Sequence, residues 1–250
     1  MKIYKKLKLA IKEGEKEVIF GETETVDELK QVYEFRFKEY SRKGYIIPSQ
    51  FPDNQESDEY DKSRKCKYFV AIVDNKIIGT VRLIITDPLP TESVYHFIEP
   101  VEMLKIPRDR RGELGRLIIV PLDREKKIYL PRGLVLLMML DMLADYGTRN
   151  NIQGGYAFIK KSLEQKMKLL RFPFNPIKKF EYIDLATNTI RNYFHQPNDP
   201  ALPIFYLTVD FKKYISKIIY NPWLFKKEKD NTLILRKNLY SFFLKVLGII

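Results

Sequence analysis

ELGRLIIV, residues 113–120, is the stretch of sequence on which the fold of this chain depends. An acidic and a basic residue, spaced three apart, stand before four consecutive branched apolar residues, and Pro121 follows the run. A short apolar run bounded by glycine and proline is typical of a buried strand, which we expect at about Leu114 to Val120. Strand alternation would place Glu113 and Arg116 on opposite faces unless a β-bulge intervenes. Because a buried charge is costly unless it is paired or used, the two residues form either a structural ion pair or part of a site.

An acidic cluster and a hairpin containing an arginine precede this strand. The cluster DEYD covers Asp58 to Asp61, near the end of a long segment with few regular signals. The apolar, β-branched stretches 68–73 and 76–86, joined by Asp74-Asn75, predict a hairpin with Arg82 in its second strand. Taken alone, DEYD is typical of a solvated acidic turn.

Two helices are predicted around these strands. Thr25 and Glu28 have the spacing of a capping box, which predicts a helix at about Val26 to Ser41 with one arginine in a wide apolar face. A second helix is predicted from about Arg132 to Tyr146, with Gly147 as its C′ glycine. The helix N-terminus, together with the basic loop before it, would suit an anion such as a phosphate.

The two ends of the chain carry weaker signals. Residues 1–16 are lysine-rich and amphipathic and predict no particular element, whereas Val18 to Phe20 indicates a short first strand. The sequence further predicts a short helix at about 100–105, strands at 154–159, 180–185 and 203–209, and a helix at 161–170. Residues 1–210 would then form one domain, and residues 211–250 a basic, aromatic C-terminal extension.

Composition limits the classes of partner. The net charge of +12 indicates an acidic partner, which could be nucleic acid, an anionic membrane surface or an acidic protein. Nucleic acid is not expected, because no helix-turn-helix, zinc-finger or RNP-like signature accompanies the charge. The single cysteine, Cys66, excludes an internal disulfide, argues against a metal site built on cysteines and favours a cytoplasmic location. The longest apolar run, Leu134 to Leu140, is too short to span a membrane.

In this order, an acid-x-x-acid cluster, a hairpin containing an arginine and an E-x-x-R strand resemble the acyl-homoserine-lactone (autoinducer) synthases. They also resemble the related N-acyl amino acid synthases, over about Val32 to Phe174. The resemblance implies an α/β fold of the GNAT-like (acyl-CoA N-acyltransferase) type: a mixed, twisted sheet with helices on both faces and Glu113 on a central strand. It also implies an acyltransferase that moves a fatty acyl chain from an acyl carrier protein thioester directly to an amine, with no tightly bound cofactor or metal.

The same resemblance assigns roles to the charged residues. Glu113 would be the catalytic base or hold a catalytic water, with Arg116 as its catalytic partner. The acceptor would be bound by a charged network that also orients Glu113, made of Arg36, Asp58, Asp61 and Arg82. Gly115 stands where the family usually has serine, so no hydroxyl is available there.

The donor side is implied by a second set of residues. Arg132 and Gly133 would hold the phosphopantetheine. They are all that remains of the usual phosphate-binding pattern, and this makes coenzyme A less expected as the acyl donor. Lys160, Lys161 and Arg171 form a basic face, which is either solvated or docks the acidic carrier protein. The C-terminal extension would either cap the acyl tunnel or lie on the inner face of an anionic membrane as an amphipathic helix.

The choice of acceptor depends on a tryptophan that autoinducer synthases have and that this chain lacks at the matching place. Autoinducer synthases have a tryptophan soon after the helix arginine, whereas this chain has Tyr40 and Tyr45 there and its one tryptophan is Trp223. Together with the longer C-terminus, this favours an N-acyl amino acid synthase. The alternatives are an acyl-homoserine-lactone synthase that uses S-adenosylmethionine and a non-catalytic GNAT-like protein that binds acyl carrier protein or membranes.

Overall fold

The computed structural model describes residues 1–11, 14–63, 65–122, 130, 132–183, 190–194, 196–228 and 230–236. Within these ranges the strands are β1 (Lys2–Ile11), β2 (Gly14–Glu22), β3 (Cys66–Val73), β4 (Lys76–Ile84), β5 (Tyr95–Phe97), β6 (Arg111–Ile119), β7 (Gly154–Lys160), β8 (Phe174–Pro176), β9 (Phe180–Tyr182), β10 (Ala201–Leu207), β11 (Phe225–Lys227) and β12 (Thr232–Leu235). The helices are α1 (Val26–Lys43), α2 (Glu59–Lys62), α3 (Pro90–Val94), α4 (Val101–Leu104), α5 (Arg132–Arg149), α6 (Lys161–Leu169), α7 (Arg191–Phe194) and α8 (Thr208–Ile219).

Ten of the described strands form one mixed sheet, in the order β11-β12-β1-β2-β3-β4-β6-β7-β10-β8. The pairs β6–β7 and β1–β12 are parallel, and the other neighbours are antiparallel. Strands β5 and β9 form a separate two-stranded sheet. Strand β6, which contains Glu113, therefore lies inside the sheet with neighbours on both sides, as the sequence predicted.

Strand alternation divides the sheet into two covered faces. On β4, Val81 and Leu83 pack with the apolar residues of α5 and α8, whereas Ile84 packs with Val32 of α1 on the opposite face. The predicted GNAT-like architecture, a mixed sheet with helices on both faces, is confirmed. The charged residue of this segment, Arg82, points to the α1 face, because it alternates with the apolar residues that α5 covers.

The elements that position the site were predicted from local signals. Helix α1 begins after the predicted capping box: the Glu28 N–H donates to Thr25 Oγ1 at 3.2 Å and the Thr25 N–H donates to Glu28 Oε2 at 3.1 Å. The β3–β4 hairpin turns at Asp74 and Asn75, which have φ of 48° and 60°. Strand β6 begins at Arg111, three residues before the predicted start, because Arg111 and Gly112 pair with Gly154 and Gly155 of β7.

Two expectations about the ends of elements were wrong. Residues 2–11 and 14–22 form two long antiparallel strands, β1 and β2, and not only the short strand predicted at 18–20, because Leu7 and Leu9 alternate with outward-facing lysines. Gly147 is not a C′ glycine, since α5 continues to Arg149. At Gly147 an added Cβ would meet Thr208 Cγ2 at 3.2 Å, so the glycine allows α8 to lie close against α5.

The first part of the C-terminal extension packs on the same sheet. The predicted boundary at residue 210 falls inside α8, where Phe211, Ile215 and Ile219 are buried against the α5 face. Strand β12 pairs in parallel with β1. Residues 237–250, on which the membrane-contact prediction chiefly rests, lie outside the described residues. Across the ranges given above, none of the helices is long and apolar enough to cross a bilayer.

Candidate active site

A β-bulge interrupts the pairing of β6 with β4. Gly115 pairs with Arg82 and Ile118 pairs with Thr80, so two residues of β6, Arg116 and Leu117, lie opposite the single residue between them on β4. Arg116 adopts a φ of 55°, in the left-handed region. The extra residue brings Arg116 to the same face as Glu113, so both side chains line one cavity. Strand alternation alone would place the two side chains on opposite faces, and the β-bulge is what brings them together.

Strands β6 and β7 separate just beyond the same point. Their parallel pairing ends at Leu114 and Ala157, and further along β7 pairs with β10 alone among the described strands. A cleft of about 250 Å³ opens between them, which we call the interstrand cleft. Its polar side includes Tyr40, Lys43, Lys160 and Ser162, and its apolar side includes Val81, Leu140, Leu163 and Phe174. Gly115 faces open space, because a Cβ added there would meet no atom within 4 Å.

Six buried charged side chains pack together beside the bulge, and we call them the charge cluster. They are Arg36, Arg82, Arg116, Glu56, Asp58 and Asp61. Three positive charges match three negative ones, and each arginine bonds to two carboxylates of the set. Such pairing compensates the cost of burying the charges.

The arginines have different partners within the cluster. Arg82 donates to Asp58 Oδ1 and Oδ2 at 2.7 and 2.8 Å and to Asp61 Oδ1 at 2.6 Å. Arg36 donates to both oxygens of Asp61, at 3.3 and 2.9 Å, and to Glu56. Arg116 donates to Glu56 at 3.0 Å and to Asp58 at 2.9 Å. The arginines are thus held in place by shared carboxylates.

The spacing of the acidic cluster has a local cause. Asp58 is the N-cap of α2 and Asp61 its third residue: Asp58 Oδ1 accepts from the Asp61 N–H at 3.1 Å, and Asp61 Oδ2 accepts from the Asp58 N–H at 2.9 Å. Burial alone would raise both pKa values, but Arg116 and Arg82 hold the pKa of Asp58 below its usual value. Arg36 and Arg82 do the same for Asp61. A solvated acidic turn is therefore the wrong interpretation of DEYD.

Sequence reasoning missed one member of the cluster. Glu56 has an exposed fraction of 0% and joins Arg36 to Arg116. It lies in the irregular segment before α2, where a single glutamate has no helical or strand periodicity to mark it as buried. The one available signal was its position two residues before Asp58, which extends the acidic motif to E-x-D-x-x-D.

Glu113 stands apart from the charge cluster. It is 1% exposed, and its Oε2 accepts a hydrogen bond of 2.7 Å from the Thr91 N–H at the start of α3. Within the described ranges it forms no ion pair, because Arg116 is engaged by Glu56 and Asp58. The structural-ion-pair interpretation of E-x-x-R is therefore wrong. The backbone at Thr91, and not the arginines, fixes the orientation of this carboxyl group.

Burial changes the acidity of Glu113. Removal from water raises the pKa of its carboxyl group to about 8, against the opposing effect of the Thr91 N–H. Near neutral pH such a group is mostly protonated, but it can take up and release a proton readily. This is the acidity expected of a general base that works near neutral pH.

Glu113 faces a small cavity of about 60 Å³, which we call the Glu113 cavity. Arg82, Arg116 and Asp58 line it together with the rings of Tyr60, Phe158 and Phe194. Arg36 and Asp61, both also predicted to bind the acceptor, line neither this cavity nor the interstrand cleft. Among the described residues the buried Nε of Arg82 has no hydrogen-bond partner. The cavity meets the interstrand cleft at Gly115, Arg116 and Phe158.

The predicted donor-side residues fall in different environments. Arg132 and Gly133 begin α5, as predicted, but the Arg132 side chain and residues 123–129 lie outside the described part. Lys161 and Arg171 are exposed. Lys160 is only 6% exposed, and its ammonium group donates to the carbonyls of Tyr193 and Asp199. Lys160 therefore belongs to the wall of the interstrand cleft, and its burial is a correction to the docking role predicted for it.

The raised pKa of Glu113 predicts a specific pH dependence of stability. Between the ordinary value of 4.5 and about 8, the unfolded chain has lost this proton and the folded chain retains it. The free energy of unfolding should therefore fall by about 1.4 kcal/mol for each pH unit across this window and level off above it. Urea unfolding at a series of pH values measures the slope. Glu113→Gln should remove this part of the slope, and an unchanged slope would contradict the raised pKa.

Over the described ranges, no group of three or more histidine, cysteine, aspartate or glutamate side chains could hold a metal ion.

Comparison with known proteins agrees with the resemblance inferred from the motifs. Residues 31–153 match the family model described as N-acyl amino acid synthase FeeM. No curated protein matches the chain. The matched residues include the whole charge cluster and Glu113.

Solved structures share the fold. BjaI, a CoA-dependent acyl-homoserine lactone synthase, is 15% identical with a TM-score of 0.54, over 87% of this chain and 92% of its own. FeeM, an N-acyl amino acid synthase from uncultured soil microbes, is 15% identical with a TM-score of 0.54, over 80% and 94%. The acyl-homoserine lactone synthase LasI is 18% identical with a TM-score of 0.50, over 76% and 89%. At such identities the likeness concerns the fold.

Proposed function

We propose that this chain, an acyltransferase of the N-acyl amino acid synthase and autoinducer synthase group, transfers a fatty acyl chain from an acyl carrier protein thioester to the amine of an amino acid. The observation that carries the proposal is the position of Glu113. Its carboxyl group is buried, is paired with no arginine of the described residues, and faces a cavity that shares lining residues with the interstrand cleft at the β6 bulge. One proton acceptor thus lies where an amine and a thioester could meet.

The reaction needs one proton acceptor and no covalent acyl-enzyme. The amine nitrogen attacks the thioester carbonyl, and Glu113 takes the amine proton directly or through a water. As the tetrahedral intermediate collapses, the carbon–sulfur bond breaks and the leaving thiolate receives that proton. The products are an amide and a thiol, and Glu113 returns to its carboxylate form. In this mechanism the low exposure of Glu113 keeps the exchange away from bulk water.

The bulge supplies groups for the developing oxyanion. Arg116 and Leu117 face a single residue of β4, and β7 no longer pairs with β6 at this point. Backbone N–H groups freed in this way are suited to bind a thioester carbonyl oxygen that gains negative charge. The open space at Gly115 leaves room for the thioester beside them. The same opening would accept the serine of related chains, so the missing hydroxyl is not required by this scheme.

The acceptor would occupy the Glu113 cavity. Arg82, Arg116 and Asp58 line it, so it offers guanidinium groups to the carboxylate of the acceptor and a carboxylate to its amine. The rings of Tyr60, Phe158 and Phe194 make the remaining wall apolar. A small zwitterion with one carboxylate and one amine fits this combination, which supports an amino acid.

The decisive experiment is mass spectrometry of lipid extracts from cells that express the chain. Long-chain N-acyl amino acids should accumulate, and a Glu113→Gln chain expressed at the same level serves as the control. Acyl-homoserine lactones in their place would assign the acceptor to S-adenosylmethionine. If neither class appears with purified chain, acyl carrier protein thioesters and amino acids, the proposed reaction is rejected.

The choice of donor leads to a separate prediction. Lys161 and Arg171 are exposed and suited to an acidic carrier protein, whereas a small thioester has no use for them. We expect Lys161→Glu with Arg171→Glu to lower kcat/KM by about tenfold or more with acyl carrier protein at low salt, because electrostatic steering is lost. The rate with a small thioester of the same acyl group should be unchanged. Added salt should reduce the rate of the unaltered chain steeply.

The matched control for this prediction is Lys76→Glu, which reverses an exposed charge at the β3–β4 turn. It should affect neither donor. Equal losses with both donors in the double variant would assign Lys161 and Arg171 to solubility. Coenzyme A thioesters used as well as the carrier protein would move the donor assignment toward that of BjaI.

A further inference from the structure

Three cavities lie in a row beneath α5. The first is the interstrand cleft, the second is a small cavity of about 20 Å³, and the third is an open groove of about 850 Å³ near the end of α5. Leu114 and Leu140 line both the first and the second. Gly147, Ile152 and Thr208 line both the second and the third. Neighbouring cavities are therefore separated only by the side chains that line both of them.

The middle cavity is the narrow point of this row. Its walls are almost entirely apolar, with Leu83 from β4, Leu143 and Ala144 from α5, and Phe211 from α8. At about 20 Å³ it holds little more than one water-sized sphere, whereas the spaces on either side are many times larger. Leu140 and Leu114, at its entrance, are the side chains that separate it from the cleft.

We propose that the acyl tail of the donor lies along this row and that Leu140, with Leu114, forms the stop that limits its length. The inference rests on the proposed function, since it places the thioester at the bulge. From there a fatty chain must follow apolar walls, and those of the interstrand cleft lead to Leu140. The polar side of the cleft, around Lys43 and Ser162, leads to solvent and suits the phosphopantetheine arm.

The space behind the stop has a definite length. Leu140 and Gly147 are seven residues apart on α5, which corresponds to about 10 Å along the helix. An extended chain advances about 1.2 Å for each bond. About eight bonds would span that distance, but the middle cavity of about 20 Å³ and the three carbons removed by Leu140→Ala give room for only roughly three or four further methylenes.

Gly147 controls the far end of this space. A Cβ added there would meet Thr208 Cγ2 at 3.2 Å and the Ile152 carbonyl oxygen at 3.3 Å. Those two residues are the other walls shared by the middle cavity and the groove. A valine at position 147 would thus close the passage without touching the interstrand cleft.

The test is the chain length of the products. Purified chain is given an equimolar mixture of octanoyl, dodecanoyl, hexadecanoyl and longer acyl carrier protein thioesters with the standard amino acids, and N-acyl products are separated by mass spectrometry. Leu140→Ala should shift the most abundant product to longer acyl chains by several methylenes. Leu136→Ala is the matched control, because it removes the same atoms from a buried residue of α5 that lines none of the three cavities.

Gly147→Val supplies the second half of the test. Alone it should leave product length unchanged, and combined with Leu140→Ala it should reverse the shift. Should Leu140→Ala or Gly147→Val fail to fold, Leu140→Val and Gly147→Ala carry the same expectations with smaller effects. Unchanged product lengths in folded Leu140 variants overturn the inference, as does a shortening caused by Gly147→Val alone. Absence of any N-acyl product from the unaltered chain rejects the proposed function, whereas products of unaltered length reject this inference alone.

Discussion

Glu113→Gln should retain the fold and lose roughly a hundred- to ten-thousand-fold in turnover, the range expected when a general base is removed. The amide is nearly isosteric with the carboxyl group, and its oxygen can still accept the Thr91 N–H. What disappears is the capacity to take up the proton of the attacking amine. Steady-state kinetics with a saturating donor measures the loss, and thermal unfolding checks that the variant is folded.

The pH profile separates this loss from a change in acceptor binding. With the pKa of Glu113 near 8, the base is mostly protonated at pH 6, so kcat/KM should rise with pH and level off above about 8. The acceptor amine titrates in the same direction, but it does so in both chains. The difference between the profiles of the unaltered chain and Glu113→Gln therefore isolates the carboxyl group.

Glu59→Gln is the matched control for this experiment. Glu59 lines the same cavity but is exposed, so loss of its charge should change turnover little. Glu113→Asp shortens the side chain by one methylene, and its turnover should lie between those of Glu59→Gln and Glu113→Gln. Full activity in Glu113→Gln would remove Glu113 from the mechanism and leave the bulge alone to explain catalysis.

Features with a local signal were predictable from the sequence. The Thr25 capping box, the Asp74-Asn75 turn and the apolar run after Arg116 each depend on residues close in the chain, and all three are confirmed. The bulge at Arg116 could be named only as a possible exception to strand alternation, because it requires β4 to be one residue shorter than β6 where the two strands pair. Pairing register is a property of two strands, and one strand's sequence does not contain it.

Features that depend on distant partners were missed or misread. Glu56 is buried because Arg36 and Arg116 meet it from a helix and a strand far along the chain. Lys160 looks like a surface lysine in the sequence, but the Tyr193 and Asp199 carbonyls hold its ammonium group inside the domain. In each case the partner is supplied by the tertiary fold, and a lone charge in a sequence is most simply read as solvated.

The separation of Glu113 from the charge cluster leads to the second large expected effect, on stability. Arg36→Met should lower the free energy of unfolding at pH 7 by about 3–5 kcal/mol, because breaking a buried ion pair leaves uncompensated charge behind. Arg36 is 0% exposed, and its loss would leave the Glu56 and Asp61 carboxylates each short of one cation. Urea unfolding measures the change.

Lys30→Met is the control for that substitution. Lys30 lies on the same helix, but its ion pair with Glu34 is at the surface, where such pairs contribute at most about 1 kcal/mol. In the double variant Arg36→Met with Asp61→Asn, the two losses should not add, because one charge of each sign has been removed. A simple sum of the single losses would show that the two groups do not act on each other.

The pH dependence of the Arg36→Met effect has a definite sign. Arg36 and Arg82 hold the pKa of Asp61 below its ordinary value of 3.8, so this interaction stabilises the fold above about pH 4 and is lost as the pH falls below it. The difference in stability between the unaltered chain and Arg36→Met should therefore narrow in acid.

Because Arg36 lines neither cavity, the folded fraction of the variant should retain much of its turnover, the reverse of Glu113→Gln. A variant that melts like the unaltered chain but has lost activity would instead return Arg36 to the acceptor site that the family resemblance implied.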